Sequence, residues 1–169
     1  MLSPGARKVA LSIHLTVSVG WIGAVLAYLG LGITAVRTDD VPLIRAMWAA
    51  METTGWYVIV PLAATSLVTG VVMALGTKWG LFRHYWVVTS FVLTTFSVVI
   101  LLLHMPSVSS TAAHAQTVDG SELDALGGDL GHPGIGLVIL LLVQVLNLYK
   151  PKGLTRYGWR KQNALRDAG

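Results

Sequence analysis

The run VALSIHLTVSVGWIGAVLAYLGLGITAV, Val9 to Val36, contains no Asp, Glu, Lys or Arg. A helix that crosses a bilayer needs about 20 apolar residues, and this run exceeds that. Three more follow: Thr53–Thr77, His84–Leu103 and Pro133–Tyr149 are equally free of acids and bases. In lipid every backbone N–H and C=O must be paired within the segment, so such runs form helices. Arg7 and Lys8 precede the first run in the manner of a signal peptide. The run is too long for a signal h-region and ends in no small-residue cleavage site, so it reads as a retained helix.

The composition agrees. Of the 169 residues, 54% are hydrophobic and 12% charged, against about 25% charged in soluble domains. Mean hydropathy is +0.67. The chain has no cysteine, which excludes disulfides and thiolate ligands. The expected fold is all-α: a four-helix transmembrane bundle in a single membrane domain, residues 1–169. Its helices are expected at about 9–36, 42–76, 81–105 and 133–150. Pro61 should kink the second. Residues 106–132 form an exterior loop, rich in Ala, Ser and Gly and carrying Asp119, Glu122, Asp124 and Asp129. Such a composition should build no core, and the loop should be dispensable for folding.

Charge sets the expected orientation. Four spans place both ends of the chain on one side. Ten of the twelve Lys and Arg then fall on that side: Arg7 and Lys8, Lys78 and Arg83, and six in the tail 151–169 with Lys150. The positive-inside rule makes that side cytoplasmic, with both termini inside and the acidic loop outside. The basic tail should have affinity for anionic lipid, and the net charge of +4 is a topology signal with no implication of nucleic acid.

Five histidines carry the candidate chemistry. His14 lies within the first span near the cytoplasmic face, on one helical face with Ser18 and Trp21. Gly20, Gly23 and Ala24 give that helix room for close approach. His84, in GLFRHYW (Gly80–Trp86), lies at similar depth on the third helix. Two neutral imidazoles on facing helices suit the axial positions of b-type haem, with Trp21 and Gly20 beside it and Arg83 near its propionates. Side chains bonded to Ser, Thr or backbone carbonyls are the plainer reading. His104 and His132 lie near the outer face. They are either interface polar residues or metal ligands with Glu52 or the loop acids.

The segments IHLTVSVGWIGAV (Ile13–Val25), WGLFRHYWVV (Trp79–Val88), LLLHMPSV (Leu101–Val108) and YKPKGLTRYGW (Tyr149–Trp159) resemble a family of uncharacterised bacterial four-helix integral membrane proteins. The first segment is also similar to the copper-resistance D family and to the haem-containing membrane protoporphyrinogen oxidase family. The resemblance implies a bacterial plasma membrane location. It also implies that His14 matches the histidine the oxidase family uses for haem. That family also uses a lysine in a later helix; here Thr89 and Ser90 stand where one would be sought. The leading expectation is therefore a small membrane protein holding haem b between His14 and His84, for electron transfer or haem handling. The alternatives are an accessory subunit of a membrane complex or homo-oligomer without cofactor, and copper or small-solute transport.

Overall fold

The computed structural model describes residues 2–77 and 79–167. It is built from helices: α1 (Pro4–Arg37), α2 (Val41–Thr54), α3 (Val60–Gly76), α4 (Tyr85–Ala115), α5 (Gly120–Leu126), α6 (Gly131–Tyr149) and α7 (Arg156–Asp167). A π-helical turn, Gly55–Ile59, joins α2 to α3, so Val41–Gly76 forms one span. The four spans are α1, α2–α3, α4 and α6, and they make this an integral membrane protein. α1 packs on α2, α3 and α6, and α4 packs on α2, α3 and α6, which closes a ring. Both chain ends lie at one end of the bundle, the terminal face; the opposite end is the loop face.

Each span buries one stripe. On α1 the stripe includes Trp21, Val25 and Tyr28, and on α2 Ile44, Trp48 and Met51. Both follow the i, i+4, i+7 spacing of one helical face. The outward faces stay apolar: Leu103 is 72% exposed, Leu148 74% and Ile135 66%. In water that surface would be a liability; against acyl chains it is the required solvent.

The second span answers Pro61 with a change of helix type. Proline cannot donate to the carbonyl four residues back. The chain widens just before it, and the Val60 N–H reaches the Gly55 carbonyl in the five-residue pattern of a π turn.

The residues expected to be a loop, 106–132, are largely helical. α4 runs through Pro106 to Ala115, and α5 follows. Val108, Ala112, Ala115, Val118 and Leu123 are buried, against α2 among others, so this segment builds core after all. The composition misleads because Ala and Val at i, i+4 and i+7 (Val108, Ala112, Ala115) make a narrow but continuous stripe. Arg45 holds the end of α4: its Nε donates to the Ala115 carbonyl at 3.1 Å and its Nη2 to the Val118 carbonyl at 2.9 Å. The first is a carbonyl that a helix end otherwise leaves unpaired, and the second belongs to the turn that follows. At 1.5 Å per residue α4 is about 46 Å long, against about 30 Å of hydrocarbon. Its last turns therefore project beyond the bilayer.

At the terminal face, GLFRHYW is mostly a turn. Gly80 takes φ +63°, a left-handed conformation that glycine adopts without strain, and α4 starts at Tyr85 rather than at 81. The tail is pinned to this turn. Thr155 donates its N–H to the Arg83 carbonyl at 3.0 Å and its hydroxyl to the Phe82 carbonyl at 2.6 Å. The Tyr85 N–H meets the Gly153 carbonyl at 3.4 Å. Gly158, in the first turns of α7, lies against the Arg83 backbone, where a side chain has no room.

Candidate functional site

Two polar sites lie at opposite ends of the bundle. At the loop face, His104 of α4, His132 in the first turn of α6, and Asp129 in the connection before α6 meet. His104 Nε2 lies 2.7 Å from Asp129 Oδ2, and Tyr28 of α1 donates its hydroxyl to the same oxygen at 2.8 Å. His132 Nδ1 is 4.0 Å from Asp129 Oδ1. The two imidazoles stack, centroids 3.8 Å apart and planes inclined by 21°. One ligand atom from each of the three residues falls within 4.8 Å of the others. Asp129 and His104 are largely buried, with side chains 10% and 19% exposed, while His132 is 60% exposed.

Close backbone approach makes this site possible. Gly128 lies against the Gly32 carbonyl of α1, and any Cβ there would collide with it. A Cβ on Gly32 would in turn come within 2.9 Å of Leu130. Two glycines thus bring the connection down onto α1, where Tyr28 can reach Asp129. The structure brings His104 and His132 together, as the metal reading of the sequence requires. It does not place Glu52 with them. Glu52 lies one residue past the core-facing Met51, which turns it into a shallow groove with Arg45 and Gln116. A loop acid, Asp129, stands in its place. Its spacing of three before His132 was visible in the sequence; its bond to Tyr28, about a hundred residues away, was not.

At the terminal face a cavity of about 450 Å³ opens between α1, α3, α4 and α6. His14 and Trp21 line it. His14 Nδ1 lies 2.9 Å from Thr69 Oγ1, and one turn further along α1 the hydroxyls of Ser18 and Ser66 are 2.8 Å apart. Thr69 Oγ1 also lies 2.7 Å from the Thr65 carbonyl and 3.1 Å from the Ser66 carbonyl. This is the hydroxyl partner that the plainer reading anticipates, supplied by α3.

The other residues expected around a haem are dispersed. His84 precedes the first residue of α4, its Nδ1 2.8 Å from the Trp79 carbonyl. Its ring packs edge-on to Trp79 at 5.2 Å and tilted to Trp86 at 6.5 Å. Those two indoles line the cavity; His84 is not among its lining residues. Gly20 faces Leu62 of α3, and the Arg83 side chain lies along Gly80 in the turn. The sequence reading missed Trp86, Ser90 and Thr94 of α4, which line the cavity. Gln144 and Asn147 of α6 line it too.

No protein-family model, no curated protein and no solved structure matches this chain. The geometry of these two sites therefore carries the functional argument.

Proposed function

We propose that the protein is a metal-binding integral membrane protein that holds a transition-metal cation with His104, Asp129 and His132, at the exterior face of a bacterial plasma membrane. The convergence of three ligand atoms within 4.8 Å carries this reading, and the Lys and Arg distribution supports the orientation. Two imidazoles and one carboxylate suit Zn, Cu or Ni, and leave coordination positions for an exchanging ligand. Metal–nitrogen bonds of about 2.0–2.1 Å place tetrahedral ligand atoms roughly 3.4 Å apart. The observed 2.7 and 4.0 Å contacts bracket that spacing. Binding replaces the hydrogen bond between His104 and Asp129 and turns the exposed His132 ring out of its stack. Tyr28 holds the carboxylate from behind, the kind of outer support that orients a ligand.

The test is zinc, copper and nickel titration of chelator-treated protein in detergent, followed by calorimetry. One ion per chain is expected. Asp129→Asn and His104→Ala should each abolish it, and Tyr28→Phe should weaken it about tenfold. His114→Ala, an exposed histidine elsewhere on α4, should leave it unchanged. Equal affinity in all four variants would refute the site.

A second reading, haem b at His14, draws on an imidazole that lines the cavity and is anchored through Nδ1 to Thr69, the kind of outer support that suits a haem ligand. His84 would have to leave the Trp79 carbonyl to complete a bis-histidine pair. An absorption spectrum of the purified protein decides it. A Soret band lost in His14→Ala supports it, and a colourless protein from haem-replete cells ends it.

A further inference from the structure

From the terminal-face cavity we infer a binding site for a single-chain amphipathic anion, its carboxylate or phosphate head between Arg7 and Lys150 and its chain among the four spans. The inference is independent of the metal site, which lies at the other end of the bundle.

Three observations converge. The first is charge. Arg7 in the second turn of α1 and Lys150 just after α6 both line the cavity, and among the described residues its lining has no Asp or Glu. A cation would meet only repulsion at this mouth. An anion meets two positive charges at the depth where lipid head groups lie. The second is the wall. Leu11, Leu15, Val71, Phe91, Leu140 and Val143 give the interior an apolar body. The volume of about 450 Å³ falls within the roughly 300–1,000 Å³ of small-molecule sites. The third is unmet hydrogen bonding. Trp86 and Ser90 belong to the wall and are 9% and 8% exposed. Trp86 Nε1 and Ser90 Oγ lie just beneath the wall surface and have no hydrogen-bond partner among the described residues. Buried polar groups in native proteins are paired, and two orphans just behind one cavity wall are paired once wall side chains shift to admit an acceptor from outside the chain. A head group with several oxygens supplies acceptors; a hydrocarbon does not.

A neutral membrane solute such as a quinone would share the wall but gain nothing from Arg7 and Lys150. A haem would share the anionic edge but add colour. Both alternatives are separable by experiment.

The protein is placed in phosphatidylcholine nanodiscs, and binding of radiolabelled palmitate is measured by scintillation proximity. Saturable binding of one palmitate per chain is expected. Unlabelled palmitate and lysophosphatidate should compete, and the stronger competitor identifies the head group as carboxylate or phosphate. Hexadecanol, with the same chain and no charge, should compete poorly. Arg7→Gln and Lys150→Gln should each weaken binding about fivefold, the worth of one cation near an anionic surface. Ser90→Leu should fill the wall and block binding, while Ser90→Ala keeps the fold and loses less. Non-saturable uptake, or competition by hexadecanol equal to that of palmitate, would overturn the inference. So would affinity unchanged in both cation variants, or a stoichiometric Soret band in the purified protein.

Discussion

Leu123→Ala tests whether the segment beyond α4 is part of the folded core. Leu123 is 1% exposed and belongs to the same buried cluster as Val118, Ala115 and Ala112. Replacing it with alanine removes three carbon atoms. Transfer alone costs roughly 2.4 kcal/mol at about 0.8 kcal/mol per methylene-sized group. A cavity that fails to collapse raises the range for Leu→Ala to about 2–5 kcal/mol. The estimate uses water as reference because this end of α4 projects past the hydrocarbon, where burial is driven by the hydrophobic effect. In a chain of this size each kcal/mol moves the midpoint by roughly 2–4 °C, so a fall of about 5–10 °C is expected from transfer alone. The assay is thermal unfolding of detergent-purified protein, followed by size exclusion of the heated samples. Leu103→Ala is the control: that side chain is 72% exposed on a span, and lipid or detergent solvates either residue about equally. A Leu123→Ala midpoint within 1 °C of wild type, on the order of thermal noise for an effect this large, would refute the packing argument. Residues 116–126 would then be the dispensable loop their composition describes.

Arg45→Met should lower the midpoint as well. It strips two charge-assisted bonds from the end of α4, each worth roughly 1.5–3 kcal/mol; Arg45→Lys should recover part of the loss, and equal midpoints would show that water replaces the guanidinium freely. Metal affinity should fall at least about tenfold between pH 7.5 and 5.5, since protons compete with the metal for imidazole nitrogens; a flat calorimetric profile would contradict histidine ligation. Gly128→Ala should abolish metal binding with the helical content intact, because its methyl group collides with the Gly32 carbonyl and lifts Asp129 away; circular dichroism separates this outcome from unfolding. Reporter fusions at Asp119 and Asn163 should report opposite compartments, the second cytoplasmic; agreement between them would overturn the four-span topology.

The spans were legible because the bilayer imposes one rule on all of them: some twenty residues without charge. Boundaries were less legible, for local reasons. Composition alone ends the third helix near 105, yet it runs on through Pro106 because its continuation, Val108, Ala112 and Ala115, has a partner to pack on. Arg45, counted only as a charge for topology, also holds the end of that helix. Of the site residues, His104 and His132 could be placed together by depth alone. Their acid could not be chosen, because the choice depends on Gly32 and Gly128 letting one loop segment settle on α1. Depth also put His14 and His84 at one level, but His14 sits inside the bundle against Thr69 and Gly70 while His84 stays in the turn before α4. Which way His84 turns was set by a single carbonyl in the preceding turn, and no periodicity encodes that.

The seam between residues 153–155 and the turn at 82–85 has a consequence for biosynthesis. The two strips of chain are separated by α4, α5 and α6. A nascent chain emerges at roughly 5–20 residues per second, so the turn after α3 leaves the ribosome several seconds before its partner. During that interval the Arg83 and Phe82 carbonyls are served by water or lipid head groups, and the terminal-face end of the α3–α4 hairpin is held by its own turn and by the Leu2 N–H on the Gly76 carbonyl. Thr155 fastens it once the last span has been delivered to the membrane. Insertion therefore has a latch that closes after the fourth helix is in place, and a chain halted before Gly153 would carry all four spans with that latch open.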